Sequence, residues 1–404
     1  MKAWEQVFLT EICRPKQWPT ITQEQLTEIG YPVYGANGVI GYFDRYNHEE
    51  PTILITCRGA TCGTINVCES KSYVTGNAMA LDNLDTLKVN QDYLAHFLKH
   101  KGFKYIITGA AQPQITLQSL GKYKIDLPPL PEQKRIADIL DRADELRTKR
   151  RQAIEHLNEL KKSIFLDMFG DPVTNSKGWV IKPLEQLVHE FRYGTSNKSG
   201  EKGYPTLRIP NVFQGELNFE EIKNVLVDDS EFHRLKLQEG DLLIVRTNGN
   251  QNYVGRCAVF ETCRVIESGY DDNIFIYASY LIRLRLRNEV NSIYLRDFLL
   301  SQEGRRQLLS KSKTSAGQYN INTQGLGSIN IPIPCPNLQK KYINRIVVIS
   351  KQIKIYQLFF EQLNNLFSSL QDRAFKGELS KNDSLESILK NHAKNQNKQP
   401  ESQL

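Results

Sequence analysis

PEQKRIADILDRADELRTKRRQAIEHLNELKKSIFLDMF, residues 131–169, is the stretch from which the architecture follows. Pro131 stands where proline is tolerated, at a helix start, and no Gly or Pro follows until Gly170 and Pro172. Ile139, Ala143, Leu146, Ala153, Leu157, Leu160 and Ile164 recur in alternating steps of three and four, with Arg150 the one polar residue on that seam. Asp138/Arg142 and Glu145/Lys149 have the i, i+4 spacing that supports a helix. The pattern predicts one long helix whose seam, too narrow for a globular core, asks for a partner helix. At 1.5 Å of rise per residue it spans about 55 Å.

The same chain supplies the partner. Ile346, Ile349, Ile353, Tyr356, Phe360, Leu363, Phe367, Leu370 and Ala374 form a second three-four seam, closed by Gly377. A shift of 206 positions lays one helix on the other: Ile125, Leu127, Pro128, Gln133 and Lys134 fall on Ile331, Ile333, Pro334, Gln339 and Lys340. Upstream, Gln112, Ile115 and Leu120 fall on Gln318, Ile321 and Leu326. The chain is a tandem repeat, each half a globular portion followed by a long helix. The expected fold class is α+β, with two mixed, strand-rich portions joined by two long antiparallel coiled-coil helices in a pseudo-twofold arrangement.

Working outward, residues 1–128 are punctuated by turns at Gly30-Tyr31-Pro32 and Asn37-Gly38. A β-branched strand is expected at Thr52–Cys57, ended by Arg58-Gly59, and a short helix at Tyr93–Leu98. Lys99, Lys101 and Lys104 then precede the loop Gly109-Ala110-Ala111-Gln112-Pro113. Residues 171–335 repeat the plan: a strand at Leu242–Val245, the turn Arg246-Thr247-Asn248-Gly249, a helix at Tyr294–Leu299, then Arg305, Arg306, Lys311 and Lys313 ahead of Ser315-Ala316-Gly317-Gln318. The helices occupy 129–170 and 336–379, and the polar segment 380–404 is expected to be a disordered tail with a helical turn at Leu385–Leu389.

The 404 residues are enough for two or more domains, and the net charge of +7 allows a polyanionic partner. No window has the apolar length of a membrane span, and MKAWEQVFLTEIC lacks a signal-peptide core, so a soluble cytoplasmic protein is expected. The seven cysteines never take the spacing of a zinc site and fit small apolar positions in a reducing compartment. Phosphate-loop and HExxH motifs are missing, as is the Asn/Asp-Pro-Pro-aromatic mark of adenine methyltransferases. Glu132-x-Lys134 and Glu221-x-Lys223 imitate the tail of a nuclease motif without an upstream partner. No catalytic residue and no metal or cofactor site is assigned on this chain.

Binding remains. The basic clusters suit phosphate, which sets register and affinity on a duplex, and equally suit a solvated face. Gln112, Gln318, Asn248, Asn250 and Gln251 carry amides fitted to an adenine edge, and Arg58 or Arg246 fits a guanine edge. Turn-forming Asn, however, is common for backbone reasons alone. The matched positions of Gln112 and Gln318 also fit a shared structural role. Arg283, Arg285 and Arg287 alternate with Ile282, Leu284 and Leu286, so they are expected on one strand face, with solvent the default.

IDLPPLPEQKRIADIL (125–140), LKKSIFLDMFGDP (160–172) and SSLQDRAFKGEL (368–379), with GAAQPQI (109–115) and SAGQYNI (315–321), resemble the specificity subunit of type I restriction-modification systems. The resemblance runs from about residue 1 to 379, strong in the helices and weak in the globular halves. It implies two target recognition domains, each binding one half of a bipartite double-stranded DNA sequence. It further implies a helical spacer that docks two methyltransferase subunits, through which two restriction subunits join. Adenine-N6 methylation from S-adenosylmethionine, and ATP and Mg chemistry, would then belong to those partners, leaving this subunit non-catalytic. Asn337-Leu338-Gln339 departs from the family's PxxEQ pattern at the second helix start. Half-sites one turn apart lie about 10 bp centre to centre, which with half-sites of roughly 4 bp leaves about 6 bp unread. The competing expectations are a coiled-coil scaffold whose globular halves bind protein, and an enzyme with an unrecognised site, for which the two repeats leave little chain.

Overall fold

The computed structural model describes residues 4–109, 112–213, 215–315, 317–380 and 385–387. Most of the expected tail, 381–384 and 388–404, lies outside the described residues, as do Ala110, Ala111 and Ala316 of the two loops. Two compact units emerge: residues 4–152 with 357–387, and residues 153–356. The long helices are Leu130–Phe169 and Pro336–Phe375, each contributing one part to each unit. Both begin at or beside a proline, as N1 chemistry favours.

In the first unit a four-stranded antiparallel sheet runs Arg14–Gln17, Ala78–Asp82, Ile53–Thr56, Ile65–Val67. A second sheet joins Gly38–Phe43, Tyr31–Gly35 and Tyr73–Val74, the last pair parallel. Glu5–Phe8 pairs with Lys124–Leu127. The helix Gln91–Lys101 extends the expected Tyr93–Leu98 at both ends, because the Asn90 side chain caps it by accepting from the Tyr93 N–H at 2.8 Å and Gly102 (φ 63°) ends it. Ile136, Ala137, Ile139, Leu140 and Ala143 of the first long helix share one core with Leu366, Phe367, Leu370 and Ala374 of the second. The direction is antiparallel: Arg135 reaches the carbonyls of Leu379 and Ser380, and further along Arg147 reaches Asn364 at 2.7 Å.

In the second unit the main sheet runs Val188–Tyr193, Leu281–Leu286, Leu242–Val245, Cys257–Val259, all antiparallel. Leu242 and Ile244 enter one core while Leu243 and Val245 enter another. Burial on both faces is why this strand is an unbroken apolar run and does not alternate. It also overturns the solvent expectation for Arg283. Its strand is interior, and the side chain, 1% exposed, is paired with Glu190, lies 4.0 Å from Asp241, and donates to the carbonyls of Arg234 and Lys236. Arg285 is bonded to Asp241 at 2.8 and 2.9 Å. A second sheet holds Ser199–Gly200, Lys223–Val225, Tyr204–Leu207 and Ile276–Tyr277. Val180–Pro183 pairs with Asn330–Ile333, as Glu5–Phe8 does with the matching strand 206 positions earlier.

Of the seam residues, Ile139, Ile346, Ile353 and Phe367 are buried, whereas Leu157, Ile164, Phe360 and Leu363 are half-buried. Leu146 and Leu160 are exposed. Burial concentrates where a globular portion covers the helix, as at Ile136 and Leu140 or at Phe165 and Phe169.

Candidate nucleic-acid interface

In the second unit, chain leaving the strand Leu242–Val245 forms Thr247–Asn248, which pairs with Gln318–Asn320, which in turn pairs with Lys313–Ser315. Arg246, Asn248, Gln318 and Lys313, scattered in sequence, thereby meet at one sheet end. Arg246 sits 4.8 Å over the Tyr193 ring, with its Nε buried and unbonded among the described residues. The Thr247 hydroxyl donates to Gln318 Oε1 at 3.1 Å, so Gln318 has a structural bond. The oxygens of Asn248 and Asn250 accept from the N–H groups of Asn250 and Asn252, at 2.8 and 3.0 Å, forming the turn itself. Gln251 is exposed with no side-chain bond among the described residues, which leaves both its donor and its acceptor for a base.

Arg305, from the helix Gln302–Lys311, donates to the carbonyls of Val254 at 2.7 Å and Asn252 at 3.4 Å. It therefore holds the loop. Burial, and to a lesser extent the nearby Arg256 charge, push its pKa below the ordinary arginine value. Arg306 pairs with Glu303 at 2.6 Å, and its hydrogen bonds hold that carboxyl below the usual range. Lys311 and Lys313 are exposed and form no ion pair among the described residues.

In the first unit Arg58 is exposed and bridges Gln114, while Gly59 N–H donates to the Pro113 carbonyl at 3.1 Å. This brings Arg58 beside the loop carrying Gln112, which is exposed. Gly109 (φ +85°) permits that loop, since a Cβ there would lie 2.5 Å from the Gln112 oxygen. Lys99 and Lys104 are exposed. Lys101 is instead tied down, donating to the Lys124 carbonyl at 2.9 Å and lying 5.0 Å from the Phe97 ring.

The two halves differ at matched positions. Ile115 N–H donates to the Cys57 carbonyl as Ile321 N–H donates to that of Arg246, so Arg246 corresponds to buried Cys57. Arg58, opposite Gln114, corresponds to Thr247, opposite Asn320. Equivalent backbones thus present unlike side chains. Sequence reasoning missed Tyr193, whose place under Arg246 depends on strand pairing, and the stacking of Arg256 on Tyr253. The available signal was the lack of any Asp or Glu from Leu242 to Phe260.

Among the described residues no cluster of His, Cys, Asp and Glu is placed to hold a metal, and no helix is long and apolar enough to cross a membrane. A cleft of about 460 Å³ is lined by Arg285, paired with Asp241, by Glu289, paired with Lys182, and also by Glu239, Arg287 and Lys340.

Residues 1–156 match the type I restriction modification DNA specificity domain. The chain is 29% identical to the EcoKI specificity subunit of Escherichia coli K12 over 71% of its own length and 65% of that protein's. It is 25% identical to the StySPI specificity subunit of Salmonella potsdam, over 72% and 66%. These matches span less than two thirds of either relative. With the MjaVIII specificity subunit of Methanocaldococcus jannaschii the identity is 25% over 89% of both chains. In fold it is similar to a type I S subunit from M. genitalium, with a TM-score of 0.61 at 17% identity, covering 92% of this chain and 96% of that one. A chain from a type I R-M system described for complex assembly and conformational transition gives 0.51 at 16%, covering 94% and 99%. The α+β architecture with its paired long helices and the run of specificity-subunit relatives agree: residues 1–156 match the type I specificity domain, and the chain as a whole is similar to type I restriction-modification specificity subunits.

Proposed function

We propose that the chain reads a bipartite double-stranded DNA sequence, one half-site per globular half, and carries that choice to catalytic partners. On this reading residues 1–128 and 171–335 are the readers, and the helices of 129–170 and 336–379 are the spacer. Two methyltransferase subunits dock on those helices and two restriction subunits join through them, in the cytoplasm. S-adenosylmethionine, ATP and Mg serve the partners, and this chain contributes recognition without catalysis. The observation that carries the reading is the sheet end of the second unit, where a stretch without Asp or Glu from Leu242 to Phe260 brings Arg246 and the free amide of Gln251 to the strands that carry Gln318 and Lys313. Arg58 and Gln112 form a smaller counterpart in the first unit. Cations supply phosphate affinity, and arginine and amide side chains supply base choice.

The test is mapping of adenine methylation in cells carrying the chain with the methyltransferase of its own system. A two-part motif interrupted by unread bases is expected, and purified chain free of partner should neither methylate nor cut. Methylation without sequence preference would sink the reading. The scaffold alternative would show instead as partner assembly with no duplex selectivity.

A further inference from the structure

Most arginines around the sheets of the second unit are neutralised inside the protein. Arg192 and Arg283 pair with Glu190, Arg285 with Asp241, Arg264 with Glu216, Arg296 with Asp297 and Arg306 with Glu303. Among the described residues Arg256 has no such partner. Its guanidinium lies 3.5 Å over the Tyr253 ring and its Nε donates to the Asn252 carbonyl at 3.3 Å. Its two terminal amino groups meet no acceptor among the described residues.

The mounting is rigid. Arg256 carbonyl accepts from the Val245 N–H at 2.8 Å, and Gly255 N–H donates back to the Val245 carbonyl at 2.8 Å. Gly255 (φ +77°) leaves room for the helix behind it, since a Cβ would meet Leu308 Cδ1 at 2.9 Å and Arg305 Nη1 at 3.0 Å. Arg305 then grips the carbonyls of Val254 and Asn252 from that helix. A planar fork is thus held on an aromatic face, its terminal amino groups unbonded among the described residues. Little freedom remains to be lost on binding. Nearby stand the exposed ring of Phe213, 6.0 Å away, and the exposed amide of Gln251.

We propose that Arg256 is a specificity-determining residue that reads a guanine in the half-site of the second unit, its fork donating to O6 and N7. This rests on the DNA-recognition reading above. A phosphate asks chiefly for positive charge, which exposed Lys311 and Lys313 already supply. A fork fixed in direction by stacking suits a base edge, where arginine–guanine pairing is bidentate.

The experiment uses the full chain in complex with the methyltransferase of its own system. The probes are duplexes carrying the methylated motif, in which each guanine of the second unit's half-site is replaced singly by 7-deazaguanine, removing the N7 acceptor. Equilibrium binding is measured at fixed salt for wild type, Arg256→Lys and Arg256→Ala. One replacement should weaken wild type about 5-fold or more, within the 5- to 150-fold range of such a pair, and leave Arg256→Ala indifferent. Arg256→Lys keeps the charge but loses the stacked planar fork, so its response to that replacement should be smaller than wild type's. A half-site lacking guanine, or no replacement coupled to Arg256, overturns the proposal. So does uniform weakening of all duplexes by Arg256→Ala with a salt slope smaller by about one, the mark of a phosphate contact. Wild-type complex that binds motif and scrambled duplexes alike overturns the recognition reading itself, and the proposal with it. The wild-type arm needs no variant to fold.

Discussion

Gln133 and Gln339, 206 positions apart, make the same three hydrogen bonds. Each amide donates to a proline carbonyl five residues earlier, at 2.8 Å in both, and to the carbonyl of Lys88 or Glu289. Each oxygen accepts from the N–H of the helix-capping Asn90 or Asn291. A buried glutamine thus fastens the start of each long helix to the globular portion before it.

Gln133→Leu leaves three backbone groups without partners in a dry site. Its cost should reach at least about 2 kcal/mol, given 1–3 kcal/mol for a buried unsatisfied group. Gln339→Leu should cost a similar amount. Urea unfolding of the full-length variants measures this, and a shift as small as a surface substitution gives would remove the fastening role.

Acid should loosen the second unit at Glu190. Its carboxyl is held below the usual value of 4.5, first by the hydrogen bond from Arg192 and then by the Arg283 charge. The unfolded chain therefore takes up this proton at higher pH than the folded one. Stability from the group is complete above pH 4.5 and declines as pH falls through the depressed folded value. Melting temperature against pH should fall less steeply in acid for Glu190→Gln than for wild type. At neutral pH the variant should melt lower, since Arg283 loses a carboxylate in a buried setting, where breaking such a pair costs about 3–5 kcal/mol. Parallel acid profiles would show that Glu190 carries no such linkage.

Exchange of residues 1–120 for the matching part of a relative should alter one half of the methylated motif and spare the other. Each half has its own sheets, core and loop. Methylation mapping decides it, and simultaneous change of both half-sites would contradict separate readers.

Four residues inserted after Lys149, an exposed position paired with Glu145 one turn back, lengthen the first long helix by about 6 Å. Base pairs stack about 3.4 Å apart, so the unread gap should grow by about two base pairs with both half-sites unchanged. Four residues approach a full turn, which keeps the seam near its original face. An unaltered gap in the mapped motif would show that helix length does not set it.

Legibility in the sequence tracks how local each signal is. The helices were readable because a three-four seam and a proline start need no tertiary information, and Leu130–Phe169 begins one residue from the expected position. The 206-position offset carried the strand pairs Glu5–Phe8 with Lys124–Leu127 and Val180–Pro183 with Asn330–Ile333 only in part, because the first strand of each pair has little shared sequence. Arg283 was misjudged because alternation defines faces but does not say whether a second layer covers one of them. Arg256 was invisible for a related reason: its place in the ladder is made by the pairing of Val245 with Arg256, a contact between residues that share no motif.

That pairing also bears on how a new preference could arise. Val245 and Arg256 tie the two ends of the loop into the ladder, so the exposed residues 249–252 between them can vary while the framework stays closed. Doubling a loop's length costs only about 0.6 kcal/mol in closure entropy. Changes among the exposed residues 249–252 are therefore cheap for the fold and large for what the loop touches, while buried Val254 and Gly255 (φ +77°) stay fixed. If the loop reads DNA as proposed, exchanging a short cassette there would change the target while the cores, the capping asparagines and the buried glutamines stayed as they are.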